Sequence, residues 1–481
     1  MFHTGESGAP KRENHGTERL AFTCAAASGS VRAAHQAGDS AASPAGEPVA
    51  DEHDRDIVAF RGLLAFTFVL FVRPQDQLPF LQVLHLADLT AIFALVALVG
   101  GRLGRGAPVI RLTPELILVL GLGAMMILTA PFSVWPGGAV GVFTDLYSKV
   151  ILVFLLIVNT VTTRARFERL TQVVVLGTAY IGVRAVIDYA RGVNLVEGGR
   201  VTGAVGGLFG NPNDMALNMV AFLPLALVLA LDRSRPVVRT LALIGAPAIA
   251  AAIVFSKSRG GTVGLVVMLA VLLYRLRKIR PGVAGLVVAA SLAALPLLPS
   301  TFVSRMSSIV NADEDPTGSR EARKTLMREG LQAFFENPVL GVGAGQFKNY
   351  RPEYREEAWR ETHNAVLQVA AELGIGGLLI FGGMIVVGFS GVSTVHRSIR
   401  TAWQTGRGQR AGPARGRREW FDLYATGMAA SLTGWFVAAM FASVAYYWTL
   451  YVVLALAGSL REITLSQATN ALPRPVQAEA A

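Results

Sequence analysis

Twelve apolar blocks set the terms on which this chain can fold: residues 57–72, 84–101, 114–131, 145–163, 170–190, 213–231, 237–255, 260–274, 282–299, 364–391, 423–441 and 444–460. Most run for about 14 to 20 residues, many without a charge, whereas buried strands stop after about four to eight, so the blocks are read as helices. At about 1.5 Å per residue they approach the roughly 30 Å hydrocarbon core of a bilayer, and arginines at the ends of the shorter ones snorkel to complete the crossing. A chain that is 52% hydrophobic and 16% charged, with a mean hydropathy of +0.46, is also too apolar for an ordinary soluble enzyme. The expected fold is all-α: a polytopic integral membrane protein with about 12 transmembrane helices and one large external loop containing short helices.

Basic residues predict the orientation, because positively charged loops stay in the cytoplasm. Every second loop is basic, from Arg102, Arg105 and Arg111 to the seven arginines between Arg397 and Arg418, while short loops of the other parity carry only Arg73, Arg191, Arg200, Lys257 and Arg259. Both termini are then cytoplasmic. The expected organisation is a disordered cytoplasmic tail (1–56), helices 1–9 (57–298), a large external loop (299–362), helices 10–12 with a basic cytoplasmic loop at 392–422 (363–461), and a cytoplasmic C-terminal tail (462–481). The net charge of +11 is thus mainly topological, and dispersed cations without interleaved aromatics exclude a nucleic-acid surface. Cys24 stands alone, so no internal disulfide is possible, and its surroundings lack the pattern of a lipoprotein site.

Polar residues that collect on the external face are the candidates for chemistry. Arg184 and Asp188, four apart on a helix, can neutralise each other. Arg200 precedes a glycine-rich run, 201–214, that ends in Gly210-Asn211-Pro212-Asn213-Asp214, and Ser256-Lys257-Ser258-Arg259-Gly260-Gly261 forms a turn between two helices. Glycine-rich backbone ahead of a helix, with Arg200 and Arg259 nearby, suits a phosphate, although a tight turn with snorkelling arginines has the same spelling. His363 can serve as a general base or can cap the helix that follows it, while His85 reads as packing.

Within the external loop, Ser319 to about Glu336 is expected to be an amphipathic helix with Met327, Leu331, Phe334 and Phe335 on one face, stopped by Asn337-Pro338. The run Gly341-Val342-Gly343-Ala344-Gly345-Gln346-Phe347 lacks the lysine and strand context of a nucleotide site and reads as a hinge or a close backbone approach. Asp313, Glu314 and Asp315, like Glu356 and Glu357, have no second set of ligands at a recognised spacing, so no metal site and no cofactor are expected.

Taken in order, these pieces resemble the O-antigen ligase and polymerase family of membrane glycosyltransferases. The resemblance is carried by Arg200 with Thr202-Gly203 and Gly210-Asn211-Pro212-Asn213, by Ser258-Arg259-Gly260-Gly261, by Arg320, by Asn337 to Phe347, and by His363-Asn364 followed by Gly374 and Gly377. It covers roughly residues 60–460. Phe71-Val72-Arg73-Pro74-Gln75 is similar to the early segment of exosortase-associated O-glycosylation ligases, while Lys324 and Thr325 stand where relatives often have a tryptophan.

The resemblance implies transfer of a glycan from a polyprenyl-diphosphate carrier to a glycan, lipid or protein hydroxyl, at the periplasmic face of a bacterial inner membrane. Arg200, Arg259 and Arg320 would hold the diphosphate, His363 would take the acceptor proton in a metal-independent inverting displacement, and Asn211, Asn213, Ser258, Gly260 and Asn364 would support them. Glu372, more than two turns beyond His363, reads as a buried structural partner. The alternatives are a polysaccharide polymerase of the same family and a polytopic transporter or flippase. Transporters usually have related halves and midplane sites. This chain has no internal repeat and gathers its polar residues on one face.

Overall fold

The apolar blocks become helices whose starts are set by proline and by short polar caps. Pro114, Pro136, Pro212, Pro236 and Pro281 each open a helix, where the missing N–H costs nothing. The side chains of Thr113, Thr163, Asn211 and Ser258 accept from amides of the first turn. The computed structural model describes residues 56–203, 206, 209–232, 235–309, 319–405 and 412–470. The expected N-terminal tail with Cys24, the acidic run Asp313–Asp315, most of the glycine-rich stretch 204–208, part of the basic loop and the last eleven residues lie outside them.

In chain order the helices are α1 (Ile57–Val72), α2 (Pro74–Gln77), α3 (Leu86–Leu103), α4 (Pro114–Thr129), α5 (Pro136–Gly141), α6 (Ser148–Thr160), α7 (Arg164–Arg191), α8 (Pro212–Leu231), α9 (Pro236–Phe255), α10 (Arg259–Ile279), α11 (Pro281–Ala294), α12 (Ser300–Ser307), α13 (Ser319–Glu336), α14 (Ala365–Thr405), α15 (Gly412–Ala439) and α16 (Trp448–Asn470). Between α7 and α8 a two-residue hairpin pairs Leu195 with Val201 and Val196 with Arg200. The architecture is all-α. Among the described residues nine helical segments are long and apolar enough to cross a membrane, or ten if α11 and α12 are counted as one bent span.

α10 and α15 fall outside that set, so the described residues give nine or ten candidate spans where about twelve are expected. These two pack against each other, and α15 also lies on α8. Being shielded from lipid, α15 can carry Thr426, Ser431 and Gly434 where a lipid-facing helix needs bulk apolar side chains. Helices approach closely through small residues: a Cβ on Gly434 would stand 2.8 Å from Met268, and one on Gly245 would stand 2.6 Å from Ala179. The outer helices α3, α9 and α11 expose Val96, Ile244 and Leu286, as lipid contact requires.

Three departures from straight spans shape the face that carries the 299–362 loop. The block 282–299 is broken: α11 ends before Pro296, and α12 leaves at 100° to it. α13 has the expected limits, but it packs inward through Leu326, Gly330 and Ala333 and leaves Met327, Leu331 and Phe335 exposed. In α14, Gly374 has φ +65° and ψ −162°, which interrupts the helix.

That interruption is where the 299–362 loop docks. Without a helical turn at Gly374 the carbonyls of Ala371 and Glu372 lose their ordinary partners, and the amides of Val342 and Gly343 take them at 2.9 Å each. In return Ile375 donates to the carbonyl of Pro338 at 2.8 Å, and Gly345 donates to the buried Glu372 carboxylate at 2.8 Å. The glycine run is therefore a close backbone approach, as expected. A Cβ on Gly341 would lie 2.3 Å from the Glu372 carbonyl carbon, so no larger residue fits without displacing the loop.

Candidate active site

Four separate parts of the chain deliver cations to one place. The hairpin turn Gly198-Gly199 brings Arg200 beside the loop that joins α9 to α10. Arg200 donates from Nε to the carbonyl of Ser256 at 3.1 Å and from Nη2 to Asn213 Oδ1 at 2.7 Å. Asn213 Oδ1 also accepts from Ser258 Oγ at 3.0 Å, and Ser258 Oγ in turn caps α10 by accepting from the amide of Gly261. Asn211 Oδ1 caps α8 through the amide of Asn213. Asn211, Asn213 and Ser258 thus form the frame that fixes Arg200 and the start of α10, which begins with Arg259.

Lys257 and Arg305 belong to the same cluster and are not distinguished by any sequence motif. Lys257 Nζ donates to the Gly198 carbonyl at 2.8 Å, and Arg305 Nε donates to the Lys257 carbonyl at 3.0 Å. Arg305 arrives on α12, so the sharp bend after α11 is what brings it here. Arg323, on the second turn of α13, is the loop arginine whose charge acts on both Arg200 and His363. Arg320 stands one turn earlier and is not among the strongest charges acting on either group.

Like charges this close depress one another. Burial, then Arg305, Arg323 and Arg259, lower the Arg200 guanidinium to about 10, with Glu197 opposing the shift. Burial, then Arg305 and Arg200, also lower Lys257. Arg200 is nevertheless charged at neutral pH. A cluster of this kind, partly withdrawn from water, suits an anion carrying more than one charge.

His363 lies beside the cluster and is held by its backbone. Its amide donates to Ser443 Oγ at 2.9 Å, and Thr362 Oγ1 meets the same hydroxyl at 3.2 Å. The cap of α14 is Asn364, whose Oδ1 accepts from Val366 and Leu367 at 3.0 Å each, so the imidazole is not used as a cap. Its backbone sits in the left-handed region at φ +50°, as does that of Lys257 at +49°. Such strain is retained where neighbouring contacts impose it. Burial, then Arg323 and Arg360, lower the ring to about 4, which leaves it neutral with a lone pair available at neutral pH.

The remaining motifs surround this centre. Gly260 backs onto Phe441, where an added Cβ would come within 2.5 Å, so it serves helix packing. The amide of Gly206 donates to Asp76 Oδ2 at 2.9 Å, and Arg73 Nε donates to the same oxygen at 2.6 Å. The Phe71–Gln75 segment is thereby tied to the glycine-rich run, and the Phe71 ring lies against Phe209, Phe222 and Trp448.

Residues 242–382 match the family model described as O-antigen ligase. No curated protein matches the chain. The matched segment contains Lys257, Arg259, Arg305, Arg323, the docked glycine run and His363, while Arg200, Asn213 and Ser443 lie outside it. Over residues 242–382 the chain is thus similar to the O-antigen ligase family of glycosyl-transferring membrane enzymes.

Proposed function

We propose that the protein transfers a glycan from a polyprenyl-diphosphate carrier to an acceptor hydroxyl at the periplasmic face of the inner membrane. The observation that carries this reading is the cation cluster of Arg200, Lys257, Arg259, Arg305 and Arg323 next to a neutral His363. A lipid diphosphate is both the anchor and the leaving group of such a donor, and its negative charge grows as the glycosidic bond breaks. Arginines fixed in advance stabilise that growth without reorganising.

In this reading the acceptor hydroxyl loses its proton to His363 as its oxygen attacks the anomeric carbon. The bond from that carbon to the diphosphate oxygen breaks, and the electron pair leaves with polyprenyl diphosphate into the cluster. One displacement inverts the anomeric centre. Arg200, Arg259 and Arg323 bind the diphosphate together with Arg320 from the first turn of the loop helix, and Asn211, Asn213, Ser258 and Gly260 hold the frame. Asn364, by capping α14, sets the direction in which His363 is presented.

The test is transfer by purified full-length protein in liposomes, with polyprenyl-diphosphate glycan and candidate acceptors, followed by mass spectrometry and analysis of the new linkage. Product with inverted configuration supports the reading. Product still on polyprenyl diphosphate assigns the polymerase branch of the family, and product on another acceptor assigns the ligase branch. Retention of configuration contradicts the single displacement.

A further inference from the structure

At the ends of α10, α14 and α15 remote from His363, a second polar site is built from residues that the transfer reaction does not use. Arg275, Lys278, His396, Arg400, Arg418 and Asp422 line a cavity of about 460 Å³. That size falls within the roughly 300–1,000 Å³ of small-ligand pockets. Its charges do not balance.

Hydrogen bonding ties the histidine to both an arginine and a carboxylate. Arg275 Nη1 lies 2.8 Å from His396 Nε2, and a guanidinium has no lone pair with which to accept. Nε2 is therefore the acceptor and the ring proton is on Nδ1, which faces Asp422 Oδ1 at 3.5 Å. Asp422 also lies 3.4 Å from Arg418 Nε, so its single charge is already shared. The nearby Glu419 is engaged by Arg280 at 2.5 Å. Four cationic side chains, Arg275, Lys278, Arg400 and Arg418, thus line the cavity against one carboxylate.

Position adds a second constraint. Arg275 and Lys278 fall in the last turns of α10, and Tyr274, 55% exposed, stands at the cavity's edge with Arg277 and Lys278 over its ring. Tyrosines and basic residues at the end of a span lie at the depth of lipid headgroups. Retention of positive loops accounts for the number of arginines here. It does not account for their convergence from three helices on one cavity.

We propose that this cavity binds a phosphate group, and that its source is the headgroup of an anionic phospholipid. The test is thermal unfolding of the purified full-length protein titrated with dioctanoyl-phosphatidylglycerol, dioctanoyl-phosphatidylcholine or inorganic phosphate. Saturable stabilisation by phosphatidylglycerol is expected, weakened about tenfold in Arg400→Gln. Arg400 is exposed and on the cavity wall, so this variant leaves the packing in place. Arg275→Gln should behave alike, while Arg397→Gln, next to His396 but outside the lining, should bind as wild type. Stabilisation by inorganic phosphate but not by phosphatidylglycerol, with the same dependence on Arg400, would keep the phosphate site and overturn its lipid source. Equal binding of both lipids, or equal affinity in wild type and Arg400→Gln, would overturn the proposal.

Discussion

Arg200 and Asn213 are joined by a 2.7 Å hydrogen bond, and the Asn213 oxygen that accepts it also accepts from Ser258. One amide oxygen thus sets both the direction of a half-buried guanidinium and the start of the helix that presents Arg259. Hydrogen bonds to charged groups contribute about 1.5–3 kcal/mol each. Asn213→Ala is therefore expected to raise the donor KM by about tenfold or more with little change in expression, measured by transfer kinetics over a range of donor concentrations. Unchanged donor dependence would separate this frame from donor binding.

His363 has a predictable titration. Its folded pKa of about 4 is below the ordinary 6.5, so between those values an unfolded chain carries a proton that the folded chain does not. Its contribution therefore favours folding above pH 6.5 and is lost as the pH falls through about 4. Side-chain NMR of histidine-labelled protein should find this ring neutral at pH 6, and adding polyprenyl diphosphate should raise its pKa by offsetting Arg323 and Arg360. A free-protein pKa at or above 6.5 would contradict the described surroundings.

The break in α14 tolerates only glycine. Gly374→Ala would place a side chain at φ +65° and within 2.5 Å of the Val339 carbonyl oxygen. With ψ at −162° this backbone region is essentially confined to glycine and costs a side chain about 1–3 kcal/mol, and the clash adds to it. A lower Tm and weaker transfer are expected together, because the loop that docks at the break also leads to His363. A variant with wild-type stability and activity would show that the docking is dispensable.

A stability test away from the site is offered by Glu115, which is 1% exposed and receives Arg461 Nη1 at 2.6 Å and Nη2 at 3.2 Å. Removing one partner of a buried pair costs about 3–5 kcal/mol, whereas replacing both with apolar residues is often close to neutral. Arg461→Met should therefore lower the Tm strongly, and Glu115→Leu/Arg461→Met should recover much of the loss. Equal Tm values for the single and double variants would argue against an uncompensated buried charge as the cause.

The helices were legible because period and punctuation agree: α13 runs from Ser319 to Glu336 and stops ahead of Asn337-Pro338, as its sequence reads. The bend after α11 had a visible cause in Pro296 and Pro299, yet an unbroken apolar run concealed it. Glu372 is a buried structural partner as its depth suggested, now with a defined role as acceptor for Gly345. Arg200, Arg259 and His363 carry recognisable local signatures. Lys257, Arg305, Arg323 and Ser443 do not, because their roles arise from convergence of segments far apart in the chain. Two arginines in one turn, Arg320 and Arg323, cannot be ranked until α13 is packed, and the packed helix brings the charge of Arg323 to bear on Arg200 and His363.

The central claim is that an anion-binding cluster and a neutral histidine act on one donor, and it is tested most directly by measuring donor binding and single-turnover transfer on the same preparation of His363→Ala. Near-normal binding of polyprenyl-diphosphate glycan, with transfer reduced by about 100-fold or more, is the expected result for loss of a general base. Transfer at the wild-type rate by folded His363→Ala protein would contradict the account.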